Sequence, residues 1–444
     1  MKHTNILSDN NIGRLLIKLS VPATIGMIVM ALYNVVDAIF IGRSVGTLGI
    51  AGLAIAFPMH MIVLAFGTAN GIGAASIISR AFGEGDLEKA NKTFGNAMFS
   101  VIAISVLLTT FSLIFIEPLL RLFGATDEIM PYAKDYLSII ILGTIFFVFA
   151  ISSNGIIRSE GHAKVAMGSM VVSAILNIIF DPIFIFWFNM GIRGAAWATV
   201  LAQFITVGYL LYFYSTGKSV LHIKWSSIHF NLSIQKEIFS IGMSSFARQI
   251  ASSLLIIILN HLLALFGGIY IAIYAIINRV LRFVFMPIFG IAQGMQPILG
   301  YNYGARNYDN AGKVIKLAIL HATAIGISGL IILYLFTAQI FSLFSNDSVL
   351  ISKGIEAMRI VILALPFVGF QIIGATSFQA LGKAVPALIL SLARQVIILI
   401  PLLLIFSKVF GLNGIWASMP VADTLAALIT FVFFVNLMRK LQTR

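Results

Sequence analysis

The 444-residue sequence contains no cysteine. Disulfides, thiolate metal centres and thiol nucleophiles are thereby excluded, and the redox state of the compartment leaves no mark on the chain. Charge is nearly as scarce, because Asp, Glu, Lys and Arg together make up 10% of the residues against about 25% in a soluble domain. Hydrophobic residues make up 59%, which excludes an ordinary soluble enzyme. Catalytic signatures are missing too: no HExxH, no GxSxG and no phosphate-cradling GxxxxGK followed by Ser or Thr is present. A pump driven by ATP would need nucleotide-binding residues, so energy for any transport has to come from an ion gradient or a partner. No cofactor is expected. The first fourteen residues include Lys2, His3, Asp9, Asn10 and Asn11, and no short apolar core with a small-residue cleavage site follows, so no removable signal peptide is expected.

What the chain does contain is long apolar runs. A bilayer-spanning helix needs about 20 apolar residues, and twelve such runs fit near 15–41, 48–80, 91–116, 130–154, 165–188, 193–215, 236–266, 269–300, 311–341, 352–377, 384–407 and 414–439. The expected fold is an all-α polytopic membrane protein of twelve transmembrane helices. An even number of spans places both termini on one side. Of 29 Lys and Arg, eighteen fall on the side of the termini, seven on the other and four within spans. The positive-inside rule then places both termini in the cytoplasm. The formal net charge of +13 reads as topology and contact with anionic lipid, not as a nucleic-acid footprint.

The sequence also repeats itself. At an offset of 221, Ala51 meets Ala272, Gly73 meets Gly294, Gly83 meets Gly304, Lys92 meets Lys313, Leu122-Phe123 meets Leu343-Phe344, and Gly161 meets Gly382. Gly194 meets Gly414 one residue short of that offset. One offset held over most of the chain predicts two parallel six-helix bundles related by a pseudo-twofold axis along the membrane normal. The expected division is a first lobe over 1–214, a cytoplasmic linker over 215–236 and a second lobe over 237–444. Two facing bundles of this kind suit an alternating-access transporter.

Ionisable residues inside spans cost about 2.5–3.5 kcal/mol on insertion scales and mark ion or substrate paths. The acids are Asp37, Asp181 and Asp423. Asp37, Asp181 and Thr199 share a depth within one or two helical turns. Asn177 and Asp181 share a face of the fifth span, Asn34 and Asp37 a face of the first with Tyr33 beside them, and Gln203 follows Thr199 by a turn. Pro182 frees a carbonyl near Ile178. Two carboxylates among amide, hydroxyl and carbonyl oxygens suit Na⁺ or a proton. Structural hydrogen bonding between the acids is the plainer alternative, but no basic residue shares their half of the membrane.

The second half reverses the sign, with Arg248, Arg279, Arg282 and Arg394 against the single acid Asp423. Arg394 and Asp423 lie near the middle of consecutive antiparallel helices and are expected to form a structural ion pair. The other three either bind anionic groups or are held by carbonyls and by Gln249, Gln293 and Gln296, a choice left open. His60, His261 and His321 are scattered and are assigned to packing or lining. The 36 Phe, 12 Tyr and 16 Met supply a deformable apolar lining suited to flat lipophilic ligands.

The run Ser20-Val21-Pro22 through Tyr33-Asn34-Val35-Val36-Asp37-Ala38-Ile39-Phe40-Ile41-Gly42, together with Asn177-Ile178-Ile179-Phe180-Asp181-Pro182 and Gly194-Ala195-Ala196-Trp197-Ala198-Thr199, resembles the multidrug and toxic compound extrusion (MATE) transporters. The branch it resembles is the prokaryotic one with essential acids in the first lobe. The resemblance extends to Gly294, Pro297, Gly304 and Gly414-Ile415-Trp416-Ala417. It implies a V-shaped antiporter of the cell (inner) membrane, a monomer, that exports small lipophilic and often cationic drugs in exchange for Na⁺ or H⁺. It further implies a cation site of Asp37, Asn177, Asp181, Thr199 and the carbonyl of Ala195, which would also be the place for Na⁺, with Tyr33, Tyr136 and Asn154 in a surrounding network and Pro22 as a hinge. Another branch uses acids in helices 7, 8 and 10, where this chain has only Glu237 and Glu356 at span ends. The nearest rival is a lipid-linked saccharide flippase of the same superfamily, favoured by the arginines and disfavoured by twelve spans. A membrane sensor or enzyme would need a domain or catalytic constellation that the sequence lacks.

Overall fold

A computed structural model of the chain describes residues 6–222 and 230–442, with the side chains of Asn34 and Ala38 outside the description. Linker residues Lys224 and Trp225 therefore lie outside the described residues. The described residues are overwhelmingly α-helical, as lipid demands, since only a helix satisfies its own backbone there. Among the described residues ten helices are long and apolar enough to cross a membrane, and a pair bent by 56° makes eleven. The longest, Ala384–Gln442, contains a non-helical Gly411, and dividing it there gives twelve spans.

In chain order these are α1 (12–45), α2 (47–84), α3 (Leu87–Ile114), α4 (Met130–Leu142 and Thr144–Ser159), α5 (Ala163–Trp187), α6 (Gly191–Ser215), α7 (Leu232–Ala264), α8 (Gly268–Gly304), α9 (Tyr308–Leu335), α10 (Ser348–Ala380), α11 (384–410) and α12 (412–442). About half of the helix ends run three to five residues beyond the apolar runs, while α3, α5 and α7 stop one or two residues short of theirs. The ninth is shorter than its apolar run over 311–341: α9 stops at Leu335 and a separate helix, Thr337–Phe344, follows.

The repeat is visible in the backbone. Gly46 and Gly267, Gly161 and Gly382, and Gly85 and Arg306 are pairs of positive-φ residues at the 221 offset, and Gly191 and Gly411 form another at 220. Asp86 caps α3 by accepting from the N–H of Lys89, and its counterpart Asn307 caps α9 by accepting from the N–H of Asn310. Short helices Ile116–Leu122 and Thr337–Phe344 begin at matching positions. Turns, caps and connectors thus recur in order in both halves.

The chain divides into two compact units, Met1–Ser8 with Ile25–Gly242, and Asp9–Thr24 with Met243–Arg444. The beginning of α1 accordingly belongs with the second unit and the beginning of α7 with the first. In the second unit Gly290 and Gly294 let α8 approach α1 so closely that an added Cβ would meet Thr24 and Ser20. In the first, Asn70 donates to the carbonyl of Ala97 and to Ser152 Oγ, which itself donates to the carbonyl of Gly67, tying α2, α3 and α4 together through polar groups that lipid could not satisfy. The second unit's core is apolar, built on Leu259, Leu263, Ile273, Ile277, Phe341, Met358 and Leu403.

Candidate functional site

Three helices of the first unit bring most of the expected residues together. Asp37 on α1 is 9% exposed and Asp181 on α5 fully buried. Their carboxyls are close enough to act on each other electrostatically, and both act on Tyr33 and on Tyr136 of α4. Asn177 and Thr199, both buried, face each other across α5 and α6, with Thr199 Oγ1 donating to Asn177 Oδ1 at 3.4 Å. Ala195 is buried with Ile41 and Ile185 in an apolar cluster against which Tyr136 packs.

The backbone explains why these groups meet. Pro182 cannot donate to the carbonyl of Ile178, and the helix directly after it widens into a π turn over Ile183–Trp187, a feature that recurs at functional sites. The start of α6 lies against that turn: a Cβ on Gly194 would sit 2.7 Å from the backbone C and O of Phe184. Only glycine permits this approach, and it sets the next residues, Ala195 and Thr199 among them, beside Asn177 and Asp181.

The electrostatics are unbalanced. Both oxygens of Asp181 and Oδ1 of Asp37 are buried and accept from no amide, hydroxyl or basic group among the described residues, so the two carboxyls have only each other within hydrogen-bond reach. Among the described residues neither acid forms an ion pair; the ion pairs lie at helix ends and loops, apart from Arg394–Asp423. Two carboxyls facing each other in a low-dielectric site without a base cannot both stay ionised unless a proton or a cation joins them. The described residues hold no cluster of three or more His, Cys, Asp or Glu.

Three predicted residues lie apart from this cluster. Asn154 uses its amide on the carbonyl of Ala166 and on Ser169 Oγ near the start of α5. Gln203 lines a small cavity with His60, Thr144 and Phe147. Pro22 lies on α1 just before the point, between Thr24 and Ile25, where that helix passes from one unit to the other. Asn34 is described in its backbone only.

A family model for MatE matches residues 22–183 and again 244–405, one copy in each half. The chain belongs to the MatE family. The two copies of the match are offset by 222 residues, within two residues of the 220–221 offset seen in turns and caps. Among curated relatives, the multidrug export protein MepA of Staphylococcus saprophyticus is 26% identical over 92% of this chain and 90% of its own length, and that of Staphylococcus aureus strain MRSA252 is 27% identical with the same coverage. Among solved structures, the MATE multidrug transporter DinF-BH is 45% identical, with a TM-score of 0.89 over 95% of each chain. An outward-facing multidrug resistance MATE transporter of the MOP superfamily is 28% identical, with a TM-score of 0.94 over 100% of this chain and 99% of its own. This MatE chain is thus a membrane transporter and not an enzyme.

In the second unit one expectation is met and several features appear that sequence reasoning missed. The expected pair of Arg394 and Asp423 forms, and Gln371 donates to the backbone carbonyl of Asp423 at 2.7 Å. Arg394 lies in a second π segment, Ala393–Leu399, for which the sequence carries no signal. Ser252 and Gln395 are hydrogen-bonded between α7 and α11. Asn278 and Arg282 are four residues apart, a spacing that could have announced their contact.

Proposed function

We propose that this MatE transporter exports small lipophilic, often cationic compounds, multidrug substrates among them, by exchanging them for Na⁺ or H⁺. The observation that carries this reading is the pair of buried carboxylates, Asp37 and Asp181, without ion-pair partners among the described residues. That the MepA relatives are multidrug export proteins supports the substrate class. In this reading the cation is a transported substrate. Asp37 and Asp181 hold its charge, Asn177, Thr199 and the carbonyl of Ala195 complete the oxygen set, and Tyr33 and Tyr136 cover the acids. Asn34, Asn154 and Gln203 belong to the surrounding network, and Pro22 lets α1 bend. Cation binding favours one arrangement of the first unit and drug binding another; a ligand with equal affinity for both would shift nothing. The protein acts as a monomer in the cell membrane, with both termini in the cytoplasm.

The test is ethidium uptake into everted membrane vesicles, with lumen-high Na⁺ or a lumen-acid pH gradient imposed in turn. Uptake should follow one gradient in the native protein and vanish in Asp37→Asn with membrane insertion intact. Uptake indifferent to both gradients would refute the exchange mechanism.

A further inference from the structure

The charge in the second unit gathers around one face of one helix. Tyr274, Asn278, Arg282, Phe285 and Phe289 follow each other on α8 at spacings of four, four, three and four residues, which is a single helical stripe. Asn278 Nδ2 donates to Tyr274 Oη at 3.1 Å, and Arg282 Nε donates to Asn278 Oδ1 at 3.3 Å. Lower on the stripe, the Arg394 guanidinium from α11 lies 5.8 Å from the Phe285 ring centre, and that of Arg248 from α7 lies 5.6 Å from the Phe289 ring centre, both within cation–π range. Three guanidiniums from three helices therefore converge on one stripe, and Asp423 is the only acid in ion-pair contact with any of them among the described residues.

This leaves excess positive charge at membrane depth. Arg248 sits midway along α7, and Arg282 is about 21 Å along α8 at 1.5 Å per residue. Charges so placed face a protein interior or a water-filled space, not lipid. The ladder from Tyr274 holds Arg282 by Nε alone, so its terminal amines have no protein acceptor among the described residues. Arg282 and its neighbour Arg279 are exposed, whereas Asp423 is buried behind Arg394. An exposed planar fork, further positive charge beside it and phenyl rings alongside match a carboxylate carried on an aromatic body: the fork binds it bidentately and the rings flank the apolar part.

We propose that the α8 stripe of the second unit, with Arg282 as anchor and Arg248 and Arg394 beside it, is a binding site for small aromatic carboxylates. The site belongs to the second unit and is opposite in charge to the Asp37–Asp181 cluster of the first, and it gives the transporter a place for anionic or zwitterionic compounds as well as cations.

The test compares two xanthene dyes of similar shape and opposite charge, anionic fluorescein and a cationic rhodamine ester, by fluorescence anisotropy on the full-length protein in phosphatidylcholine nanodiscs, with empty discs as blank. Fluorescein should bind the native protein, bind Arg282→Gln at least tenfold more weakly, and recover in part with Arg282→Lys. Arg282 is exposed, so its variants should fold; size-exclusion elution and unchanged affinity for the rhodamine ester check this. Absence of fluorescein binding above the blank, or equal affinity in native and Arg282→Gln, overturns the proposal. Loss of fluorescein binding to the native protein when discs are made with phosphatidylglycerol also overturns it, by assigning the stripe to lipid headgroups. Binding of the rhodamine ester without fluorescein binding leaves the export reading standing while this one falls.

Discussion

Glu160, in the short turn after α4, is 3% exposed. Ser219 Oγ lies 3.0 and 2.9 Å from its two carboxyl oxygens, and the N–H of Val220 donates to it at 2.9 Å. The carboxyl therefore fastens the segment after α6 to the turn between α4 and α5. Burial raises its pKa from 4.5 to about 7, with the hydrogen bonds from Val220 and Ser219 opposing that rise only in part. The sign follows from linkage: a raised native pKa means the folded state holds a proton that the unfolded state has released. Stability from this group is therefore fully present below pH 4.5 and is lost as pH rises toward 7. At about 1.36 kcal/mol per unit, the full loss is about 3 kcal/mol. Glu160→Gln keeps an acceptor for Ser219 and Val220 and removes the titration. Melting curves of detergent-purified protein from pH 4.5 to 8 should show the native protein losing on the order of a few degrees relative to Glu160→Gln as pH rises. Parallel pH profiles would refute the reasoning, since the carboxyl would then not be buried at a cost.

Three other outcomes are expected. Arg394→Gln strands the buried Asp423 carboxylate, and Asp423→Asn strands Arg394, whose side chain keeps 30% of its exposure; each should cost about 3 kcal/mol, while the double variant approaches the native melting temperature. Additive losses in that double-mutant cycle would show that the pair is not coupled. Gly194→Ala forces a Cβ against the Phe184 carbonyl and should destabilise the protein by about 1–3 kcal/mol with loss of transport; native stability and transport would show that the approach of α6 to the π turn is not needed. Thr199→Val removes the donor to Asn177 Oδ1 and should weaken cation dependence several-fold while leaving expression unchanged, as measured by transport against cation concentration.

Much of the fold was legible because a hydrocarbon layer of fixed thickness forces apolar runs of fixed length, and because the 221 offset ties the second half to the first. The bend in α4 was not legible. Residues 130–154 read as one apolar run, but the helix breaks at Gly143, where a Cβ would sit 2.7 Å from Val200 Cγ2. That contact is between helices far apart in sequence, and no local pattern records it. The acid cluster was legible because carboxylates in spans are rare and Asn177, Asp181 and Thr199 fall at related depths. Asn154 was drawn in by resemblance, although its position along α4 places it with Ala166 and Ser169. The α8 stripe was half legible: its arginines stood out singly, but only the π segment at Ala393–Leu399 and the ring contacts bring them to one face.

The central claim is that Asp37 and Asp181 carry the cation exchanged for drug. Its most direct measurement is cation flux evoked by substrate in proteoliposomes of purified protein, read with a lumenal pH dye and, separately, a Na⁺ dye. Adding ethidium should move one of the two ions in the native protein and neither in Asp37→Asn or Asp181→Asn. Flux at the native rate in either variant would contradict the account.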